Sequence, residues 1–411
     1  MKLPSKRLIS SGAVALAIGI VVYGTNYTRQ TSIASDHGNQ RPSFGFRLPF
    51  EGTASAQTPG SSITLPSEKY FKNVKAITGV PVDEFMQEMG LYSAALSMCC
   101  GDCHVGAGTD NPDWASDKNP RKIIARQMQF MVKAINKEHF GGGTTITCWT
   151  CHRGGGTPSQ TASIDMVYGD PIVYPSDVMR KAPANTGVPT LDDIFAKYYK
   201  AIGGAANLAA LKSYTAKGTS NLYGEVNNDP AEVFAKAPGD LSVVVHQKGG
   251  DSVRTTDGKN AWVKLPLTVV KEYPLTGSLL EGGKLDAIVA FPGEIRTHFP
   301  DANWRVSFPV TIDDKPVWVV QATGADGLLA SFYFDKQTGL LTRFVRMVTT
   351  SLGRVPTQID YSDYRPVAGV MMPFKWTYGW ISGREQYVMS EYQPNAAIDA
   401  AKFSEPMLVT K

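Results

Sequence analysis

Cys100-Gly-Asp-Cys103-His104 and Cys148-Trp-Thr-Cys151-His152 are two copies of one five-residue word, C-x-x-C-H. Two thiols three positions apart can form thioethers with the two vinyl groups of a single porphyrin, and the adjoining imidazole then lies beneath the iron. This spacing is the attachment signature of c-type haem. Two words imply two covalently attached haem c groups, with Cys100, Cys103, Cys148 and Cys151 as attachment points and His104 and His152 as proximal ligands. Four of the five cysteines and two of the six histidines are thereby accounted for. A zinc site would also use paired cysteines, but the 44 residues between Cys103 and Cys148 exceed the usual ribbon spacing, and zinc leaves the adjoining histidines unexplained. A redox dithiol has the same weakness and lacks the surrounding βαβ pattern. Cys99 is expected to be a small buried thiol beside the first word.

The words need elements to hold them. Before each lies a helical pattern with two methionines three apart: Met86 and Met89 after Pro81, then Met128 and Met131. The second helix is bounded by Asn119 as cap, Pro120 at the first helical position and Gly141-Gly142-Gly143 beyond Phe140. Its Ile124, Met128, Met131 and Ile135 share one face, a stripe that belongs against something apolar. A methionine thioether makes a good sixth ligand for an electron carrier, because it favours reduced iron. The 11 residues from Met89 to Cys100 and the 20 from Met128 to Cys148 give enough chain, at up to about 3.3 Å each, to round a porphyrin edge. Met98, two residues from Cys100, is held on the proximal side. His139 reads as a helix-end histidine.

Asn73-Val74-Lys75, Glu84 to Met89, Ala125 to Asn136 and Thr147 to Gly154 resemble the first two haem segments of the cytochrome c subunit of photosynthetic reaction centres. The resemblance covers about residues 70 to 156. It implies a mainly helical c-type domain with Met89 and Met128 as distal ligands, leaving Met86 and Met131 as core residues near the porphyrins. That family carries four haems, whereas this chain has cysteines for two.

The N-terminus is a basic Met1-Lys2 to Arg7 region followed by an apolar run from about Leu8 to Gly24, the form of a secretory signal or signal-anchor. No small-x-small cleavage site follows directly, which favours an uncleaved anchor in the inner membrane and places the rest in the periplasm. Residues 1–30 are thus read as signal or anchor, 31–66 as a flexible linker, 67–156 as the diheme domain, 157–189 as a second linker and 190–411 as a further domain. The second linker's apolar spots (Met166, Val167, Ile172, Val173) would let it lie against a domain. A net charge of +4, with no basic run interleaved with aromatics, gives no sign of a nucleic-acid partner.

From Thr190 onward one amphipathic helix, Leu191 to Ala201 with a Thr190/Asp193 cap, precedes eleven short alternating runs. The class expected is α+β: a large antiparallel sheet curved around one packed helix. Phe334 to Leu341 and Asp363 to Pro373 resemble hairpin phrases of periplasmic lipoprotein-carrier half-barrels. A filled core or docking platform is expected there ahead of an apolar-ligand site. His246 and His298 stand alone and read as structural. No Ser/His/Asp grouping, paired-acid motif or phosphate loop appears, so no catalytic residue is assigned. The leading reading is a periplasmic diheme cytochrome passing single electrons between redox partner proteins. A diheme peroxidase and a redox-sensing protein that binds lipid or a partner are the alternatives.

Overall fold

Pro81 opens the helix that organises the front of the molecule. It precedes α2 (Val82–Leu96), whose first turn carries Asp83 and Glu84, acids that favour the positive end of a helix dipole. α2 ends at Ser97, in the left-handed region at φ 50°. Around it stand the short α1 (Ser67–Tyr70), α3 (Cys100–Cys103), the long α4 (Pro120–His139) and α5 (Cys148–His152). The computed structural model describes residues 65–161, 187–223, 228–266, 268–293, 295, 296, 299 and 303–406, all within one compact unit, Gly60–Lys411. The N-terminal apolar run, the apolar spots of the second linker and His298 lie outside these residues. Among the described residues no helix is long and apolar enough to cross a membrane.

Behind the helices stands one antiparallel sheet. Its strands are β1 (Ser213–Leu222), β2 (Asp229–Lys236), β3 (Asp240–Gln247), β4 (Gly250–Asp257), β5 (Ala261–Lys264), β6 (Glu272–Pro274), β7 (Asn303–Val306), β8 (Val310–Ile312), β9 (Lys315–Thr323), β10 (Leu329–Asp335), β11 (Leu341–Thr350), β12 (Gly353–Val367), β13 (Val370–Trp380) and β14 (Gly383–Pro394). The order is β6-β5-β4-β3-β2-β1-β14-β13-β12-β11-β10-β9-β7, with β8 paired to β9. The α+β class and the large antiparallel sheet follow the sequence reading. Among the described residues three helices rather than one accompany the sheet: α6 (Leu191–Ala201), α7 (Gly204–Ala210) and α8 (Gly277–Ala290). Ile194, Phe195, Tyr198 and Ile202, at helical spacing, seat α6 on Phe332, Phe334 and Phe344 in the same core as Leu285 and Val289 of α8.

α2 fastens the front to the sheet. Val82 packs with Val270 and Tyr273. The Asp83 carboxylate accepts from the Thr276 amide at 2.7 Å and its hydroxyl at 3.0 Å, while Glu84 accepts from the Ser351 amide at 2.7 Å and Glu88 from the Ser351 hydroxyl. Burial pushes the Asp83 carboxyl up to about 6 against the opposing pull of the Thr276 hydrogen bonds. The folded state therefore holds this proton more tightly than the unfolded chain. The contribution is complete below the ordinary carboxylate range and is lost as pH rises through about 6, a change of about 3 kcal/mol. Asp83→Asn keeps an acceptor for the Thr276 amide and should flatten this part of the pH dependence. Urea unfolding at about pH 4 and about pH 7 reads it; an unaltered slope in the variant rejects the assignment.

Candidate functional site: two cysteine words around one helix end

Each word is a single helical turn that caps itself. In the first, the Asp102 carboxylate accepts from the Cys99 amide at 2.9 Å. In the second, the Thr150 hydroxyl accepts from the Thr147 amide at 3.0 Å. The residue before each second cysteine is thus a cap that fixes the local turn. Both turns abut the end of α2: the first follows Ser97 directly, and after the second the Gly154 amide donates to Ala95 O at 3.0 Å while Ser97 Oγ donates to Gly154 O at 2.5 Å.

α4 is tied to both words. Asn119 caps it by accepting from the Arg121 amide at 3.1 Å, and donates through Nδ2 to Asp102 O at 2.8 Å. Arg121 pairs with the Asp102 carboxylate at 3.1 Å. At the far end Asn136 makes two bonds to Ile146, just before the second word, at 2.8 and 2.9 Å. The helix buries polar Gln129 and Asn136 and turns its apolar row outward: Ile124, Met128 and Met131 are 52, 37 and 45% exposed. Met131, expected in the core, is therefore on an open apolar stripe with Met128. A bare row of this kind suits a large apolar group.

The two histidines share one orientation. His104 Nδ1 faces Trp114 O at 3.4 Å and His152 Nδ1 faces Gly155 O at 3.0 Å. A carbonyl only accepts, so each Nδ1 carries the proton and each Nε2 is the atom left to bind a metal. Burial, then nearby Lys122, holds the His104 imidazole below its usual range. Burial also raises the Cys103 and Cys148 thiols. A cavity of 480 Å³ beside the first word is lined by Cys100, Cys103, His104, Met86, Met89 and Tyr92, among others. Met86 also packs against the Val82–Val270–Tyr273 cluster, and Met89 against that of Ile77, Val80, Leu91 and Leu352. The donor set and the apolar walls fit a porphyrin stapled to Cys100 and Cys103. Zinc would need the four sulfurs in one place, and among the described residues no group of three or more His, Cys, Asp or Glu side chains converges.

Other expectations sort plainly. Cys99 is exposed rather than buried: it stands at the N-cap of the first word, where its side chain and amide both engage Asp102. His139 is exposed at the end of α4 and 3.8 Å from Glu138. Met98 borders the same cavity. His246 sits between Asp251 at 2.9 Å and Glu232 at 3.4 Å, which raise its pKa, a surface ion-pair role. Sequence reasoning missed Tyr92, whose hydroxyl donates to Gln129 Oε1 at 2.6 Å. It also missed the web of Asn73, Asp117 and Arg126: Asn73 donates to Asp117 at 2.8 Å, and Arg126 reaches Asp117 at 2.7 Å and Asn73 O at 2.8 Å. Asn73 and Arg126 lie in the segments that carried the family resemblance, the one signal that pointed to them.

Residues 51–191 match the profile of a family described as the photosynthetic reaction centre cytochrome C subunit. Over 115 residues the chain is 31% identical to the photosynthetic reaction center cytochrome c subunit of Thermochromatium tepidum, covering 27% of this chain and 26% of that protein. Over 112 residues it is 30% identical to the subunit of Rubrivivax gelatinosus, covering 26% and 29%. The chain thus spans little more than a quarter of the length of these relatives. Over 53% of this chain and 99% of that one, it is matched by the LolA superfamily protein NE2245 from Nitrosomonas europaea, at 14% identity and a TM-score of 0.35. The segment bearing both C-x-x-C-H words is similar to photosynthetic reaction-centre cytochrome c subunits.

Proposed function

We propose that this chain is an exported diheme c-type cytochrome that passes single electrons between redox partner proteins of the periplasm or inner membrane. In this reading residues 67–156 are the haem domain, 190–411 the sheet domain, and 31–66 and 157–189 linkers. Residues 1–30 hold the protein to the inner membrane. Cys100 and Cys103 attach one haem and Cys148 and Cys151 the other, with His104 and His152 on the proximal sides and Met89 and Met128 on the distal sides. The single observation that supports it most is the repeated self-capped C-x-x-C-H turn, in which each imidazole has Nδ1 committed to a carbonyl.

Haem iron supplies a one-electron couple whose potential is raised by a thioether ligand. The chain's part is positional. Asp102 and Thr150 fix the turns, the carbonyls of Trp114 and Gly155 orient the imidazoles, and the walls around Met89 and Tyr92 exclude water from the first site. A site held from both sides changes little in geometry between oxidation states, so no substrate pocket is needed.

Optical and EPR spectra of the oxidised protein test the reading. Met89→Ala and Met128→Ala should each remove the methionine-to-ferric charge-transfer band of one haem and lower its potential. Unchanged spectra and potentials in both variants reject the ligand set. A high-spin signal at one iron in the native protein, with peroxide turnover, replaces the electron carrier with a peroxidase.

A further inference from the structure

The sheet domain does not fill its own concavity. Between the strands and α8 lies a cavity of about 1510 Å³, larger than the ~300–1,000 Å³ typical of small-ligand sites. One wall is aliphatic, with Val233, Val243 and Val245 among its residues. The other holds two ion pairs, one buried and one half-buried, that meet at Tyr378. Arg254 reaches Glu385 at 3.1 Å, and Glu385 accepts from Ser220 and Tyr387 hydroxyls at 2.5 Å each. Arg346 grips Asp286 through two nitrogens at 2.7 and 2.8 Å and reaches the Tyr378 hydroxyl at 3.3 Å. The Arg254 guanidinium lies 4.4 Å over the Tyr378 ring.

These pairs decide what charge the cavity tolerates. Each guanidinium is matched by one carboxylate, and among the described residues the remaining charged group on the lining is exposed Asp110. A fatty-acid carboxylate or a phosphate would enter without a counter-charge, at a steep desolvation cost. An uncharged molecule carrying oxygens is better served, since a guanidinium has five N–H donors and its carboxylate uses only part of them. Aromatic side chains are also on the lining: Trp376, Tyr378 and Tyr387, the first stacked on the last at 5.1 Å and 13°, and an aromatic surface suits a planar ring.

The polar end is the end nearest the first cysteine word. Glu385 is in register with Leu222 and Tyr378, next to the turn at Ile381 and Ser382 that crowds Gly90 of α2. The rim there includes Met86, Met89, Cys99, Cys100 and Gly101.

We propose that this cavity binds an uncharged apolar molecule with a planar, oxygen-bearing ring, of the quinone class. The ring lies among Tyr378, Trp376 and Tyr387 and the tail runs along the valine wall.

The test is calorimetric titration of the full-length exported protein with a decyl-benzoquinone, and separately with decanoate. Saturable one-to-one binding of the quinone, at least tenfold tighter than decanoate, is expected. Val243→Trp, which fills the tail space, and Trp380→Leu, which removes the lining ring 6.2 Å from that of Tyr378, should each weaken the quinone at least tenfold. Absence of saturable heat from the quinone overturns the proposal, as does decanoate binding equally well, which marks a general lipid-tail cavity. Native-like affinity in both variants overturns it too. Intact mass of the same preparation reports haem attachment separately, so failure here and failure of the cytochrome reading are told apart.

Discussion

Cys148→Ala combined with Cys151→Ala is expected to strip one haem-sized increment from the intact mass of the exported chain and to halve its visible absorbance. Cys100→Ala with Cys103→Ala should do the same to the other half. The effect is large because each turn holds its own pair of thiols and caps itself, through Asp102 in one and Thr150 in the other. The loss of one pair leaves the other turn's bonds in place. Intact mass spectrometry and the absorbance spectrum check it together. A native mass with no added porphyrin, or a double variant that keeps both increments, sinks the cytochrome reading. A zinc protein would lose metal in the same variants with no change in colour.

The second large effect belongs to the sheet domain. Asp286→Ala should destabilise the fold by roughly 3–5 kcal/mol, because it leaves a buried guanidinium without its counter-charge. Arg346 is 5% exposed, and Asp286 is the carboxylate that meets it through two nitrogens. Replacing both partners, as Arg346→Met with Asp286→Leu, removes the charge and the need for it and should restore most of the loss. Denaturant unfolding of the single and double variants decides the matter. A single variant within about 1 kcal/mol of the native protein would mean that water reaches the arginine and the pair is not desolvated.

The readable parts of this molecule were those with a strong local signal. Asn119-Pro120 and the Thr190/Asp193 cap set helix starts where the structure has them, since a cap is a hydrogen bond between near neighbours. The C-x-x-C-H words were legible because their chemistry is packed into five residues. Gly250 to Asp257 is mostly polar and carries no alternating apolar pattern of its own. It is a strand because β3 and β5 flank it. α8 was missed because Glu281, Lys284 and Asp286 and the glycines Gly282 and Gly283 are scattered among its apolar residues, so it shows no helical stripe. The cavity was invisible for a different reason: its volume is what remains after residues far apart in sequence have packed, and no local pattern encodes a remainder.

α4 has one more consequence. It is pinned at its first turn to one cysteine word and in its last turn to the other, and both words also meet the end of α2. If each word carries an iron centre, the gap an electron must tunnel is built into the scaffold and owes nothing to diffusion. Transfer between the two centres should then be indifferent to solvent viscosity, leaving partner encounter as the step that a thickened medium slows.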